Sequence, residues 1–356
     1  MTCQLTTNHV KVVGVGACAP RFAEENMRLP IFADPSEAEK VVQSTGIERR
    51  HMVSPGTTAS DLSVKAIGRL LEDLSWDIRT VDCLFYVCTS RDYIAPQTSC
   101  ILQDRLGMRN DSFVMDLPLG CSGWVYGMSV VTSMMQTGFL KRGLLVAAET
   151  NTLNRSMKDR TVRPLFGDAG TVTALEFDPS WNYPNNFVFG VDGSGAEAIM
   201  AKFGGMRHPT TVDALQEREV EPGVVRKGTD MAVHGMDVFG FAIKRPPQSL
   251  KELAATFKID MDSIDFLYLH QANFFIDEKI RKAFKIPPEK VPYCIRDYGN
   301  VTCASIPLTM ATQDKAALSG RLNHCVACGF GVGLAWASME FHLDRIFSSG
   351  VVDYES

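Results

Sequence analysis

Three residues, each in its own local context, could together carry covalent acyl chemistry. Cys121 lies in the run Asp116-Leu117-Pro118-Leu119-Gly120-Cys121-Ser122-Gly123-Trp124, where strand-like residues give way to helical ones. A thiol at a helix N-terminus meets unpaired backbone N–H groups and the positive end of the helix dipole, and both favour the nucleophilic thiolate. Gly120 and Gly123 flank it, and small neighbours let backbone and substrate approach closely. His270 follows the apolar run Phe266-Leu267-Tyr268-Leu269 and opens His270-Gln271-Ala272-Asn273, so it projects from a strand end, where sites form. Asn300 follows Tyr298-Gly299 in a turn sequence. A Cys, a His and an Asn in these settings point to acyl transfer through a covalent intermediate.

Other residues of chemical interest have plainer readings. Most cysteines are small buried hydrophobes, which is how Cys83, Cys88, Cys294 and Cys303 read. Cys325 and Cys328 form a C-x-x-C without a second pair, inside an apolar strand-like run, so no metal site is expected there. Gly331 and Gly333 imitate a phosphate loop but lack the following Lys-Ser/Thr. His234 reads as structural, and His9, His51, His208, His324 and His342 have no motif. Lys279, Arg281, Lys282 and Lys285 crowd the segment after His270, as a solvated face or as a docking surface for an acidic acyl carrier protein or a phosphopantetheine arm.

The elements that must position these residues alternate between strand and helix. Strands are expected at 10–15, 83–88, 113–116, 143–149, 186–191, 266–270, 324–329 and 334–341. Helices are expected after the caps Ser60 and Asp61, at 97–106, at 122–137, at 274–284 and at 305–318. The 122–137 segment carries no charge on any face, so it belongs in the middle of the protein. Pro246 and Pro247 must break or kink a helix spanning 236–256. Alternation of this kind predicts an α/β fold with helix-covered sheets. A seam near 181–186 divides the chain into halves, 1–182 with the nucleophile and 183–356 with His and Asn.

Bulk composition excludes several classes. The chain has 356 residues, is 45% hydrophobic and carries a formal net charge of -5, unlike the basic surface of a nucleic-acid binder. No apolar run reaches the ~18–20 residues of a membrane span. The first fifteen residues lack the basic start and apolar stretch of a signal peptide. Ten cysteines without a secretion signal read as reduced thiols in a cytoplasmic protein.

Taken in order, Thr45-Gly46-Ile47-Glu48-Arg49-Arg50, the Cys121 run, Phe166-Gly167-Asp168, His270-Gln271-Ala272-Asn273, Gly299-Asn300 and Gly329-Phe330-Gly331-Val332-Gly333 resemble a β-ketoacyl-acyl carrier protein synthase III, of the thiolase superfamily. The resemblance runs from Val10 to Leu343. It implies a five-layered αβαβα thiolase-like fold of two similar halves and a homodimer whose central sheet continues between subunits. It implies that Cys121 takes an acyl group from acyl-CoA or acyl-acyl carrier protein, with no permanently bound cofactor. A malonyl thioester then loses CO₂, and His270 and Asn300 hold the enolate that attacks the acyl-Cys. The backbone N–H groups of Cys121 and Val332 form the oxyanion hole.

Three departures from the family pattern mark a specialised relative. Position 275 is Phe, where members that use a carrier protein commonly have a basic residue. Residues 30–44 hold no Trp to stack on an adenine. Ala95 stands before Pro96, where a bulkier side chain often shortens the acyl pocket, so a longer or bulkier acyl group is expected. Extra residues around 155–161 and 210–227 are expected to shape a substrate mouth. The main alternative is an acyltransferase of the same fold that passes the acyl group from Cys121 to a hydroxyl or amine, with His270 as base. A non-catalytic carrier-binding subunit is a third.

Overall fold

The computed structural model describes residues 3–355. Its strands are β1 (Cys3–Thr7), β2 (Val10–Pro20), β3 (Ala23–Glu25), β4 (Arg49–His51), β5 (Cys83–Val87), β6 (Phe113–Leu117), β7 (Arg142–Thr150), β8 (Asp168–Phe177), β9 (Asn185–Val191), β10 (Ile199–Met200), β11 (Arg218–Glu221), β12 (Val224–Arg226), β13 (Ala232–Val233), β14 (Phe266–Leu269), β15 (Leu322–Gly331), β16 (Ala335–Asp344) and β17 (Phe347–Tyr354). Its α-helices are α1 (Pro35–Thr45), α2 (Ala59–Leu74), α3 (Thr98–Leu106), α4 (Gly123–Met135), α5 (Gly235–Ala242), α6 (Arg245–Phe257), α7 (Phe274–Ala283), α8 (Ile295–Tyr298), α9 (Ser305–Thr312) and α10 (Lys315–Ser319).

Local chemistry explains where these elements start and stop. The unbroken apolar run of β5 is buried along its whole length and pairs in parallel with β6 and β7. Helix α2 begins two residues earlier than its expected caps. Thr58 is the N-cap, and its N–H donates to the Asp61 carboxylate at 2.8 Å. Pro246 and Pro247 do not kink a long helix. They lie in the first turn of α6, where a missing N–H costs nothing, and α5 ends before them. The single helix expected over 305–318 is two. The chain turns extended at Gln313, and the Asp314 side chain accepts from Ala316 N–H to cap α10.

The first sheet runs β17-β2-β8-β7-β5-β6 and the second β1-β9-β16-β15-β14. The two repeat one pattern. In the first, β2 pairs antiparallel with β8, β8 antiparallel with β7, and β7 parallel with β5. In the second, β9, β16, β15 and β14 follow the same sequence of antiparallel, antiparallel and parallel. Helices α2 and α3 cover the outer face of the first sheet, α4 and α9 lie between the sheets, and α6 packs on the far face of the second. This is the five-layered αβαβα arrangement of two similar halves.

The halves exchange their ends. Strand β1 pairs with β9 in the second sheet, and β17 pairs with β2 in the first, so each half borrows a strand across the expected 182/183 boundary. Residues 1, 2 and 356, at the outer limits of those halves, lie outside the described residues.

The uncharged segment does form the central helix. Trp124, Val125 and Met128 of α4 pack with Phe187, Phe341 and Ile306 between the sheets. The Trp124 indole N–H donates to Thr173 Oγ1 at 3.0 Å, so even this buried ring has its polar atom paired. Among the described residues, no helix is long and apolar enough to cross a membrane.

Candidate active site

Cys121 occupies a tight turn between β6 and α4. Gly123 N–H donates to Gly120 C=O at 2.7 Å, and Ser122 is the N-cap of α4. The Gly-rich turn after β15 presses against it. A Cβ added to Gly331 would stand 2.6 Å from Cys121 Sγ, and one on Gly120 would stand 2.4 Å from Val332 Cγ1. Only glycine lets these two turns meet. As a result the backbone N–H groups of Val332 and Cys121 come near enough to the sulfur to favour its anion.

His270 leaves the end of β14 with its N–H donating to Cys328 C=O at 2.9 Å. Its ring stands edge-on to Phe330 at 5.3 Å. Nδ1 is enclosed without a hydrogen-bond partner, and the Thr302 backbone acts on the ring to favour its protonated form. Asn273, three residues on, caps α7 by accepting from Ile276 N–H at 2.8 Å.

Asn300 is held from both sides. Its N–H donates to Leu165 C=O at 2.8 Å and its C=O accepts from Gly167 N–H at 3.2 Å. Its side-chain Oδ1 accepts from Thr302 N–H at 2.9 Å. A backbone N–H can only be met by oxygen, so this bond fixes which end of the carboxamide is which; Nδ2 donates one hydrogen to Ala272 C=O at 3.4 Å and has a second to offer. Two further sequence motifs support this turn. Phe166-Gly167-Asp168 supplies one of the two backbone partners, Gly167 N–H, and the other, Leu165 C=O, immediately precedes it. Arg50, 1% exposed, donates to Phe166 C=O and Asn26 Oδ1 and pairs with Glu24.

Cys121, His270, Asn300 and Val332 line one cavity of about 350 Å³. Its walls are mostly apolar, with Ile199, Val233, Phe239 and Phe241 among them. Ile199 and Val233 come from the small β10/β13 ribbon and the two Phe from α5, so the segment before α6 roofs the site. The two extra stretches pack on each other near this roof. Ser156 Oγ donates to Val225 C=O, and Arg226 pairs with Asp159. Arg155, from the first stretch, lines the cavity itself.

Burial dominates the electrostatics. It pushes the Cys121 thiol up to about 11, against the pull of the Val332 and Cys121 N–H groups and the Arg155 charge. The helix N-terminus does favour the anion, but burial of Cys121, a residue 9% exposed, outweighs it. Burial also pushes His270 down to about 3, so its imidazole is neutral at physiological pH.

The remaining expected residues are dispersed. Ala95 is exposed and lies outside the cavity of its own chain, because Tyr93 to Pro96 form a surface loop leading into α3. Arg281 is not available for docking. It is tied to Glu278 at 2.6 Å and to Ile286 C=O at 2.7 Å. Lys282 lies 3.6 Å from the same Glu278, Lys279 sits over the Phe275 ring, and Lys279, Lys282 and Lys285 are exposed. Phe275 itself stacks on Phe239, 6.1 Å away, at the rim of the cavity. His234 is the N-cap of α5 and does not line the cavity. Arg155, Phe166 and Thr302 line it without having been singled out as site residues; a lone Arg in a polar stretch carries no sequence signal of its destination.

Two repeated α/β halves, with a cysteine, a histidine and an asparagine from three stretches meeting in one apolar cavity, define a thiolase-like protein. Residues 115–197 match the family described as 3-oxoacyl-[acyl-carrier-protein] synthase III, and residues 254–343 match its C-terminal counterpart. The β-ketoacyl-[acyl-carrier-protein] synthase III of Desulfitobacterium hafniense (strain Y51) is 30% identical over 333 residues, covering 92% of this chain and 96% of that protein. That of Caldanaerobacter subterraneus subsp. tengcongensis is 29% identical over 328 residues, with 92% and 96% covered. A solved 3-oxoacyl-(acyl-carrier protein) synthase from Burkholderia xenovorans LB400 is 31% identical and superimposes with a TM-score of 0.91 over 99% of both chains. The chain belongs to the β-ketoacyl-acyl carrier protein synthase III family.

Proposed function

We propose that this protein is a decarboxylating condensing enzyme with Cys121 as its nucleophile. The observation that carries the reading is the convergence of Cys121 Sγ, two backbone N–H donors, neutral His270 and the Asn300 carboxamide on one apolar cavity. Sγ bonds to the acyl carbon of a thioester, the donor's C–S bond breaks, and the Sγ proton ends on the departing thiol. A malonyl thioester then enters and loses CO₂. The enolate oxygen that develops accepts from His270 Nε2–H and Asn300 Nδ2. Its carbon attacks the acyl-Cys carbonyl, whose oxyanion the Cys121 and Val332 N–H groups receive, and collapse returns the sulfur as thiolate, which takes a proton from water. One such donor is worth about 10²–10³ in rate. A base acting on a hydroxyl or amine would need no second donor, so an Asn300 carboxamide lining the same cavity as His270 favours condensation over simple acyl transfer.

The acyl donors in this reading are coenzyme A or acyl carrier protein thioesters, with Lys279, Lys282 and Lys285 as the remaining basic surface near the cavity rim and no permanently bound cofactor. The reading places the protein in the cytoplasm, in keeping with ten unpaired cysteines. It also makes the protein a homodimer through the β6 edge. That strand pairs on one side only and carries exposed Met115, and Tyr93 and Ile94, in the loop before α3, are exposed as well. Across that edge Ala95 reaches the acyl pocket of the partner rather than its own. The deciding experiment loads Cys121 with an acyl group, adds labelled malonyl thioester and measures labelled CO₂. Release of CO₂ with formation of a β-ketoacyl thioester supports the proposal; transfer to a hydroxyl or amine without CO₂ overturns it.

A further inference from the structure

Arg155 is the one charged side chain among the described residues lining the cavity, and nothing in the condensation above uses it. It is half-buried, with its guanidinium over the Phe166 ring at 3.7 Å. Nη1 is fully employed, donating to Asn151 C=O at 3.0 Å, Asn151 Oδ1 at 2.8 Å and Asn154 Oδ1 at 2.8 Å. Nε is enclosed and has no partner. No carboxylate among the described residues lies within ion-pair distance of it. The nearby acids are committed elsewhere. Glu149 accepts from the N–H and hydroxyl of both Thr89 and Ser90, and Asp168 accepts from Val53 N–H, Thr152 N–H and Thr152 Oγ1. Burial lowers the arginine to about 10, so it stays charged at neutral pH. Glu149 and Asp168 act on the guanidinium only from a distance, and a cation in the interior without a direct ion pair is costly to the fold. Asn151, Asn154 and Phe166 hold it there, at the wall of a mostly apolar chamber.

We propose that Arg155 binds a carboxylate carried on the acyl group, so that the substrate loaded on Cys121 is a dicarboxylic monothioester, with the thioester at one end and a free carboxylate at the other. The inference deepens the condensing-enzyme reading and rests on it. A guanidinium suits a carboxylate through its planar array of donors, and an apolar chamber strengthens the pairing. The carboxylate that malonyl thioester loses is a poor match. Its negative charge must flow into the enolate as CO₂ departs, and a fixed cation would hold it in the starting state. A carboxylate retained through the reaction suffers no such conflict. Loading balances as before: Sγ bonds to the thioester carbon, coenzyme A leaves as its thiol with the Sγ proton, and the distal carboxylate is unchanged.

The test compares acylation of Cys121, read by intact-protein mass against time, for matched coenzyme A thioesters: butyryl with succinyl, and pentanoyl with glutaryl. The expected result is faster loading of a carboxylated member by about 10- to 100-fold, the range of a charge-assisted hydrogen bond. In Arg155→Met that ratio falls to about one, and Arg155→Lys keeps part of it. Equal or faster loading of the neutral members by the unaltered protein overturns the proposal without need of any variant. So does an Arg155→Met protein that slows both members equally, since the arginine would then be serving the sulfur rather than the substrate. Failure of every thioester to load Cys121 is a different result, and it removes the condensing-enzyme reading and this inference together.

Discussion

At the scale of the residue, reactivity follows from how much hydration each group has lost. Cys121 is neutral at rest because its sulfur is enclosed, although two N–H groups and a guanidinium favour the anion. Alkylation of Cys121 by iodoacetamide is therefore expected to rise about tenfold per pH unit through the neutral range and to level off only near about 11. A plateau below pH 8 would show a thiolate already present. His270 has the opposite shift, and its sign matters for stability. An unfolded imidazole takes a proton as pH falls below its ordinary value near 6.5, and the folded one does not until about 3, so this group withdraws stability as pH falls between those values. Ring nitrogen shifts of His270 are accordingly expected to keep the neutral pattern down to about pH 4. The division of labour between the residues is testable by mass and CO₂ release. Cys121→Ala abolishes acyl loading. Asn300→Ala spares loading and lowers condensation by about 10²-fold or more.

At the scale of the element, the site is made by turns that touch where strands end. The close approach of the Gly331 turn to Cys121 means that Gly331→Ala forces a methyl group to within 2.6 Å of the sulfur. Overpacking of this kind costs about 1–3 kcal/mol, and here it also moves Val332 N–H off the sulfur, so acyl loading falls by more than the change in stability accounts for. The Asn300 turn is stabilised from further away. Arg50→Met removes a part-buried ion pair and the bonds to Phe166 C=O and Asn26 Oδ1 while Glu24 keeps Arg163, and is expected to cost about 1–3 kcal/mol in a denaturant titration. Condensation should suffer in that variant while loading of Cys121 is largely kept, because the nucleophile turn hangs from other strands. The ends of α6 and α9 carry a second lesson. Pro246 and Pro247 mark a break in either reading, but whether a proline kinks one helix or opens the next depends on the direction of the preceding chain, which α5 sets by packing over the cavity.

At the scale of the molecule, the repeated sheets bring the nucleophile and its partners to a common centre from opposite halves, and the exchange of β1 and β17 ties those halves together. The exposed β6 edge is the surface on which the proposed homodimer rests. Ile94→Asp places a charge on that edge and is expected to give a monomer by light scattering, with a retained fold by circular dichroism. Ala95→Phe is expected to shorten the longest acyl chain loaded on Cys121 without altering the fold. An unchanged oligomeric state in the first variant and an unchanged chain-length profile in the second would remove the edge from the interface and Ala95 from the pocket.

Local order was open to reading from the chain alone. The apolar run of β5, the uncharged α4 and the Gly-flanked Cys121 each announce their roles through residues adjacent in sequence, and periodicity and turn chemistry act over that short range. Cys121, His270 and Asn300 could be singled out as candidates because each sits in a distinctive local context. What no stretch of sequence contains is the sum of contacts around a group. The shift of Cys121 to about 11, the occupation of Arg281 by Glu278, the exposure of Ala95 and the inward turn of Arg155 all depend on atoms tens to hundreds of residues away. Desolvation and charge pairing are set by three-dimensional neighbours, so they come into being only when the two halves close.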